Sequence, residues 1–289
     1  TPRIWSAAQD TSVGDINARS RVKEEDGQPS LIEGALTISA GAWPMVDQTA
    51  FAAYNVTERF EYDTAGEAYG RFMGQPVGEN KIVYLGLPKI IAYNEANSYT
   101  IIPGTLGDSI ESAGGLTAAI GNSDLGYAAD AQKTVRPAAI VAMNKQGTVR
   151  FGDVSESVLR RDPDSPFGVR TDLMSIRSNM EAVAKELNTT LPSLVVVDSG
   201  DGYRARQFST QVASSVADRQ WNESLATLDS IFGLAQNTYP DATIIVASQA
   251  SRNKELDKEG FGPLIVTGMK PGLLVSDSAQ RPGLVTNLD

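Results

Sequence analysis

Residues 194–201, LVVVDSGD, decide the fold class of this chain. Four apolar residues in succession, three of them valine, are typical of a strand that is buried on both faces of a parallel sheet. Further apolar runs of strand length stand at 116–120 (LTAAI), 138–143 (AAIVAM), 243–247 (TIIVA) and 263–267 (PLIVT). Because segments of helical length alternate with these runs, we predict an α/β fold with a mostly parallel central sheet.

Helical segments are predicted around these strands. The longest of them should contain a break near Trp221. Residues 144–147 (NKQG) offer turn chemistry, which predicts a β-hairpin over 138–150. Neither an internal repeat nor a shift in composition divides the chain, so we expect one domain over 1–289. The predicted helices span 2–10, 30–40, 48–54, 104–113, 170–187 and 206–236.

Composition narrows the classes of function. The chain carries 25 Lys and Arg against 35 Asp and Glu, a net charge of -10, and we therefore expect no nucleic-acid partner, because phosphate backbones are held by clustered cations. The chain contains no cysteine and no histidine, which excludes disulfides, thiolate chemistry, Ser-His-Asp triads and zinc sites built on either residue. No apolar run reaches the roughly 20 residues that span a bilayer.

Ser30 is the first candidate site residue. It precedes an apolar helical segment, and Glu33 follows three residues later, which is the pattern of a capping box. Because a helix N-terminus favours anions, Ser30 is a candidate phosphate contact or nucleophile. The simpler interpretation is a plain N-cap, since a serine nucleophile needs a base or a metal and no histidine is present.

Two strand ends supply the other candidates. Asp198 and Asp201 follow the strongest strand, where ligands of open α/β sheets bind, and their oxygens would suit Mg, Mn or Ca. Alternatively, the two carboxylates only shape the turn and cap the next helix. Ser248 and Gln249 follow the 243–247 run and are candidate ligand-binding residues, although a simple strand-to-loop turn is the favoured interpretation.

Several phrases of the sequence resemble a known superfamily. They stand in the order 1–13 (TPRIWSAAQDTSV), 36–41 (LTISAG), 105–114 (TLGDSIESAG), 263–268 (PLIVTG) and 283–289 (GLVTNLD). Together they are similar to phrases of sulfatases and other members of the alkaline phosphatase superfamily. A second set stands at 136–143 (RPAAIVAM), 165–173 (SPFGVRTDL), 194–201 and 280–289 (QRPGLVTNLD). This second set resembles a bacterial group of large membrane-associated proteins with an extracytoplasmic alkaline-phosphatase-like domain.

The resemblance implies a three-layer sandwich that is tethered to the cell membrane by segments outside this chain, so we expect a piece of a longer membrane protein. Active members of the superfamily hold two divalent metals with aspartates and histidines. By position, their Asp-His pair falls on Ser248 and Gln249, their nucleophile falls near Ser30, and a further ligand set falls on 198–201. Because no histidine occupies these positions, the resemblance implies that two-metal hydrolysis is lost.

Three functional hypotheses follow from these observations. The leading one is a non-catalytic extracytoplasmic domain that needs no cofactor and binds a ligand or a protein partner in the cell envelope. The rival is a hydrolase or transferase of phosphate or sulfate esters that uses Ser30 and a divalent cation held by Asp198 or Asp201. The third is an ectodomain that only scaffolds a membrane complex.

Overall fold

The structure, a computed structural model, confirms the predicted α/β class. Helix accounts for 44% of the described residues and strand for 21%. Among the described helices, none is both long and apolar enough to cross a membrane. The structure describes residues 2–9, 11–17, 30–46, 53–96, 100–127, 134–248, 261–268, 270–276 and 281–286.

The elements are numbered in chain order. The helices are α1 (Pro2–Gln9), α2 (Leu31–Ala40), α3 (Ala65–Met73), α4 (Leu87–Ala96), α5 (Thr105–Ser112), α6 (Pro137–Ala142), α7 (Leu173–Glu186), α8 (Asp201–Phe208) and α9 (Ser214–Thr238). The strands are β1 (Ser12–Asn17), β2 (Ala53–Asn55), β3 (Arg59–Phe60), β4 (Asp63–Thr64), β5 (Ile82–Tyr84), β6 (Leu116–Ile120), β7 (Thr148–Val149), β8 (Phe151–Asp153), β9 (Leu159–Arg161), β10 (Val169–Thr171), β11 (Ser193–Val197), β12 (Ile245–Ala247), β13 (Phe261–Val266), β14 (Gly272–Leu273) and β15 (Leu284–Thr286).

A three-stranded parallel sheet, in the order β11-β6-β8, carries the two strands that were predicted at 116–120 and 194–198. Side chains alternate between its faces, as the pleat of a strand requires. Ala119 and Val196 join a core cluster with α2 and α6, whereas Ala118 joins a second cluster with α7 and α9. Each face of this sheet is therefore covered by helices.

A second sheet is mixed and holds the strands near the C-terminus. Its order is β12-β13-β1-β14, and β15 also pairs with β1. The strands predicted at 243–247 and 263–267 are present as β12 and β13, but they run antiparallel to each other. Among the predicted strands that the structure describes, parallel pairing is therefore confirmed for β11 with β6 and for no other pair. The other sheets are β2-β5-β7 and the hairpins β3-β4 and β9-β10.

The strand prediction at 138–143 is wrong, because Pro137–Ala142 form α6. This short helix packs against both α2 and the parallel sheet, so it is apolar all round, and such a run has the same composition as a buried strand. A turn does follow it, with the N–H of Gly147 donating to the carbonyl of Asn144 at 2.8 Å. That turn joins α6 to β7, so the predicted hairpin over 138–150 is wrong as well.

Two helix predictions also need correction. Strand β2 occupies Ala53–Asn55, where the end of the predicted helix 48–54 was expected, and residues 47–52 lie outside the described residues. The break predicted near Trp221 is absent, because α9 continues through that residue. The interruption instead follows α8, where a 3₁₀ turn at Ser209–Gln211 leads into extended backbone at Val212. The helices predicted at 2–10, 30–40 and 104–113 are confirmed as α1, α2 and α5, and the one predicted at 170–187 is present as α7 but begins later, because Val169–Thr171 form β10.

Candidate functional site

The carboxyl ends of β6, β11 and β8 meet at one edge of the parallel sheet. The N–H of Asp198 donates to the carbonyl of Ile120 at 2.9 Å, and the N–H of Gly121 donates to the carbonyl of Asp153 at 2.9 Å. Gly121 has a φ of 89°, and a Cβ at that position would collide with the Asp198 carbonyl. This close approach requires glycine and draws the three strand ends together.

Polar and charged side chains gather at this edge, and we call them the carboxyl-edge cluster. The edge is where ligands of open α/β sheets bind, as the sequence predicted for the end of β11. The cluster consists of Glu58, Asn122, Ser123, Asp124, Arg136, Thr171, Asp198, Asp201 and Arg204.

Among the four carboxylates of the cluster, Asp198 is the one without an arginine hydrogen bond in the described part of the chain. The Ser123 hydroxyl donates to its Oδ2 at 2.6 Å, and the N–H of Gly200 donates to its Oδ1 at 3.0 Å. Burial raises the pKa of the Asp198 carboxyl above its usual range, although the Ser123 hydrogen bond and the charge of Arg204 oppose that shift. Asp198 as a whole residue is partly exposed, whereas Ser123 is buried.

Asp201 is held by a buried arginine. Its Oδ1 accepts from Arg204 Nη2 at 2.8 Å, from the Thr171 N–H at 2.9 Å and from the Thr171 hydroxyl at 3.0 Å. The other terminal nitrogen of Arg204, Nη1, donates to the carbonyls of Asn122 at 3.1 Å and Asp124 at 3.2 Å. A single guanidinium thus connects the loop after β6 to the start of α8.

A second buried arginine, Arg136, stands between two carboxylates. It donates to both oxygens of Glu58, at 2.7 and 2.9 Å, and to Asp124 Oδ2 at 3.0 and 3.1 Å. It also donates to the carbonyl of Ala53 at 3.0 Å and lies 5.2 Å from the centre of the Tyr54 ring. Burial alone would lower the pKa of Arg136, yet the two carboxylates raise it above its usual range. Burial raises the pKa of Asp124, and Arg136 opposes that shift.

Ser30 lies at the N-cap of α2, as predicted. Its hydroxyl accepts from the N–H of Glu33 at 3.3 Å, and the residue is buried. At the other end of α2, the Ser39 hydroxyl accepts from the N–H of Gly104, and Gly104 lies against the backbone of Asn144, just beyond α6. Because α2 packs along α6 with these C-terminal ends together, Ser30 lies toward the end at which α6 begins.

The remaining predicted site residues lie elsewhere. The N–H of Ser248 donates to the carbonyl of Pro263 at 3.0 Å, which places Ser248 at the end of β12 in the mixed sheet. Gln249 lies outside the described residues. The structure therefore brings Asp198 and Asp201 together in the cluster, places Ser30 at the N-cap of α2, and gives Ser248 a place in another sheet.

Two carboxylates of the cluster, those of Asp201 and Asp124, are already engaged by donors of the protein. Within the described part of the chain, no three acidic side chains gather in a group that could hold a cation. Asp201 Oδ1 already receives three donors, and Arg136 holds Asp124. A divalent cation at either carboxylate would compete with the positive charge of a buried guanidinium.

Several cluster residues escaped the sequence analysis. Ser123 and Asp124 were within reach, because they follow the predicted strand at 116–120 and strand ends of a parallel sheet share an edge. No local sequence pattern indicated that Arg136 or Arg204 belongs to the site. Their partners lie far away in sequence, since Arg136 and Glu58 are 78 positions apart and Arg204 and Asn122 are 82 positions apart.

A shallow groove lies at the opposite edge of the parallel sheet, where its strands begin. It has a volume of about 290 Å³, and its walls include Glu111, Arg150, Phe151 and Glu186. Both carboxylate oxygens of Glu111 are already bonded, to the Thr117 hydroxyl and to the Asn144 amide. The groove is thus separate from the carboxyl-edge cluster.

Comparisons with known proteins do not assign the chain to a family. No protein-family model matches the chain, and neither the curated proteins nor the solved structures give a match. The similarity to the alkaline phosphatase superfamily therefore rests on the sequence phrases alone.

Proposed function

We propose that this chain is a non-catalytic, alkaline-phosphatase-like domain that binds a ligand or a partner protein in the cell envelope. It is extracytoplasmic in this proposal and is tethered to the membrane by segments outside the chain. One observation carries the proposal: three of the four carboxylates of the cluster are paired with arginines of the same chain. Arg204 binds Asp201, and Arg136 binds Asp124 and Glu58. Of the two predicted metal ligands, Asp201 is therefore paired with a guanidinium that would compete with a cation.

The proposal includes the three-layer architecture. Its support is the parallel sheet, which has one apolar cluster with α2 and α6 on one face and another with α7 and α9 on the other. Such a helix-sheet-helix arrangement is the local unit of a three-layer sandwich.

The ligand that fits this edge best is a neutral polyol. Asp198 accepts two hydrogen bonds from the protein and remains partly accessible, and an ionised carboxylate has about four acceptor sites. Hydroxyl groups of a polyol could donate to the remaining sites. An anion is disfavoured, because the net charge of the chain is -10 and the nearby arginines are already paired.

Turnover tests the non-catalytic part of the proposal. The purified domain is incubated with p-nitrophenyl phosphate and p-nitrophenyl sulfate, with and without Mg, Mn, Ca and Zn, beside the Ser30→Ala and Asp201→Ala variants. We expect wild type and variants to show the same background rate. Metal-dependent turnover that disappears in both variants would instead establish the rival hydrolase.

A binding experiment tests whether the ligand is a polyol. Titration of the ¹⁵N-labelled domain with myo-inositol should shift the amide signals of Ser199 and Gly200, and Asp198→Ala should remove those shifts. Asp241→Ala is the matched control, because Asp241 is exposed and lies outside the cluster. Shifts that persist in Asp198→Ala would show that the polyol binds elsewhere, and no shifts at all would favour the scaffolding role.

A further inference from the structure

A small polar cavity lies beside the carboxyl-edge cluster, between α8, α9 and the chain around β10. Its volume is about 10 Å³, and its walls include Ser165, Arg170, Arg204, Gln220 and Ser224. A cavity of roughly 10–15 Å³ has room for one water molecule. Two of the residues in its walls each carry a buried polar atom that has no hydrogen-bond partner among the described residues.

The first of these atoms is Nε of Arg204. A guanidinium has five N–H donors. Nη1 uses its two on the carbonyls of Asn122 and Asp124, and Nη2 uses its two on Asp201 and Thr171. The fifth donor, Nε–H, remains unmatched, although Arg204 is 0% exposed. An unmatched donor on a buried charged group is costly, so a partner is expected at this position.

The second atom is Oε1 of Gln220, on the first half of α9. Its side chain is oriented by Nε2, which donates to the carbonyl of Asp164 at 3.2 Å. A flipped amide would place two oxygens against each other, so the orientation with Oε1 turned away from Asp164 is the favoured one. Gln220 is 4% exposed, and Oε1 lacks a donor among the described residues.

We propose that one structural water occupies this cavity and bridges Arg204 Nε–H to Gln220 Oε1. It accepts a hydrogen bond from the guanidinium and donates one to the amide oxygen. The Ser224 hydroxyl donates to the Trp221 carbonyl at 2.7 Å, so its oxygen can accept the second hydrogen of the water. Buried waters typically make about three hydrogen bonds to groups that the protein leaves unmatched, and these three partners meet that number.

The water links two parts of the molecule that share no direct hydrogen bond at this position. It completes the donors of Arg204, which holds the loop after β6, and it ties that guanidinium to α9 through Gln220. Positioning α9 against the cluster is therefore the role of this site, and the inference does not depend on the proposed ligand.

A rotating-frame NMR experiment on the ¹⁵N-arginine-labelled domain detects such a water. Dipolar transfer from water to Arg204 Nε–H and direct proton exchange give cross-peaks of opposite sign, so the two are distinguished. We expect a dipolar cross-peak in wild type and its loss in Gln220→Met, which keeps the side-chain length but removes the acceptor. Gln236→Met is the matched control, because Gln236 is exposed on the same helix, and this variant should keep the cross-peak.

Two results would overturn the proposal. One is the absence of a dipolar cross-peak in the folded wild type, and the other is an unchanged cross-peak in folded Gln220→Met. If Gln220→Met does not fold, a crystal structure of wild type at about 1.5 Å resolution decides the matter. It must show density for a water within hydrogen-bond distance of both Arg204 Nε and Gln220 Oε1, and a direct protein contact in that place refutes the site.

Discussion

Replacing Arg136 by methionine tests whether the buried arginines stabilise the carboxyl edge. Arg136→Met keeps much of the side-chain volume but removes four hydrogen bonds to Glu58 and Asp124, all between 2.7 and 3.1 Å. Two carboxylates would then face each other without a cation. Removing one partner from a buried ion pair typically costs about 3–5 kcal/mol.

The free-energy cost of protonating one carboxylate gives a similar estimate of the stability that the variant loses. The variant can relieve the repulsion by taking up a proton, and at pH 7 that costs about 4 kcal/mol for an aspartate whose ordinary pKa is near 3.9. We therefore expect Arg136→Met to lower the free energy of unfolding by about 4 kcal/mol at neutral pH. With roughly 2–4 °C of Tm lost per kcal/mol, the melting temperature should fall by about 8–16 °C.

The loss should depend on pH with a defined sign. Burial already raises the pKa of Asp124, and removing the opposing Arg136 raises it further. A carboxyl whose folded pKa lies above its unfolded value contributes stability at low pH and loses it as the pH rises through the folded pKa. The difference between wild type and Arg136→Met should therefore be smaller at pH 4 than at pH 7.

Urea unfolding followed by circular dichroism at both pH values measures these quantities. Arg150→Met is the matched control, since Arg150 pairs with the exposed Glu79 and should contribute under about 1 kcal/mol. The double variant Asp124→Asn/Arg136→Met should recover part of the loss, because one of the two facing charges is gone. A loss below 1 kcal/mol in Arg136→Met, or no recovery in the double variant, would refute the electrostatic account.

Three further predictions concern single positions. Ser30→Ala should lower the free energy of unfolding by about 1 kcal/mol, measured in urea, because the α2 N-cap is lost, and an unchanged value would contradict the cap. Gly121→Ala should lower Tm more than Gly41→Ala does, because both positions have positive φ but only the first would bring a Cβ onto the Asp198 carbonyl; equal losses would argue against that close approach. Asp198→Asn should gain stability relative to wild type as the pH rises from 3 to 7, because the raised pKa of Asp198 means that its charged form is disfavoured in the folded state; parallel pH profiles of unfolding would contradict this.

Local patterns were sufficient where the burial of a segment matched its composition. The run at 194–198 was predicted correctly as a strand. Its successive valines point alternately to the two faces of the sheet, and each face packs against an apolar cluster. The run at 138–143 misled because a helix buried on all sides needs apolar residues throughout, just as a buried strand does. Periodicity carries no information in such a short segment, and only its packing between α2 and the sheet decides the outcome.

The candidate site shows the same limit more sharply. Strand ends placed Asp198 and Asp201 correctly at the carboxyl edge, and the same rule would have reached Asp124. The rule could not predict which side chains pair with those carboxylates. Arg136 and Arg204 approach them from distant parts of the chain, so the chemistry of the site depends on tertiary contacts that no local spacing encodes.

The two arginines also explain how the carboxylates and loops at this edge are held together without histidine ligands. A buried guanidinium neutralises carboxylates and binds several backbone carbonyls at once, as Arg204 does with Asn122 and Asp124. A metal ion can perform that task too, but it also polarises a bound substrate and lowers the pKa of bound water. Arginine is permanently charged, donates in one fixed plane and keeps no exchangeable coordination position. An edge held together in this way has a fixed shape, which is the property that the proposed binding role requires.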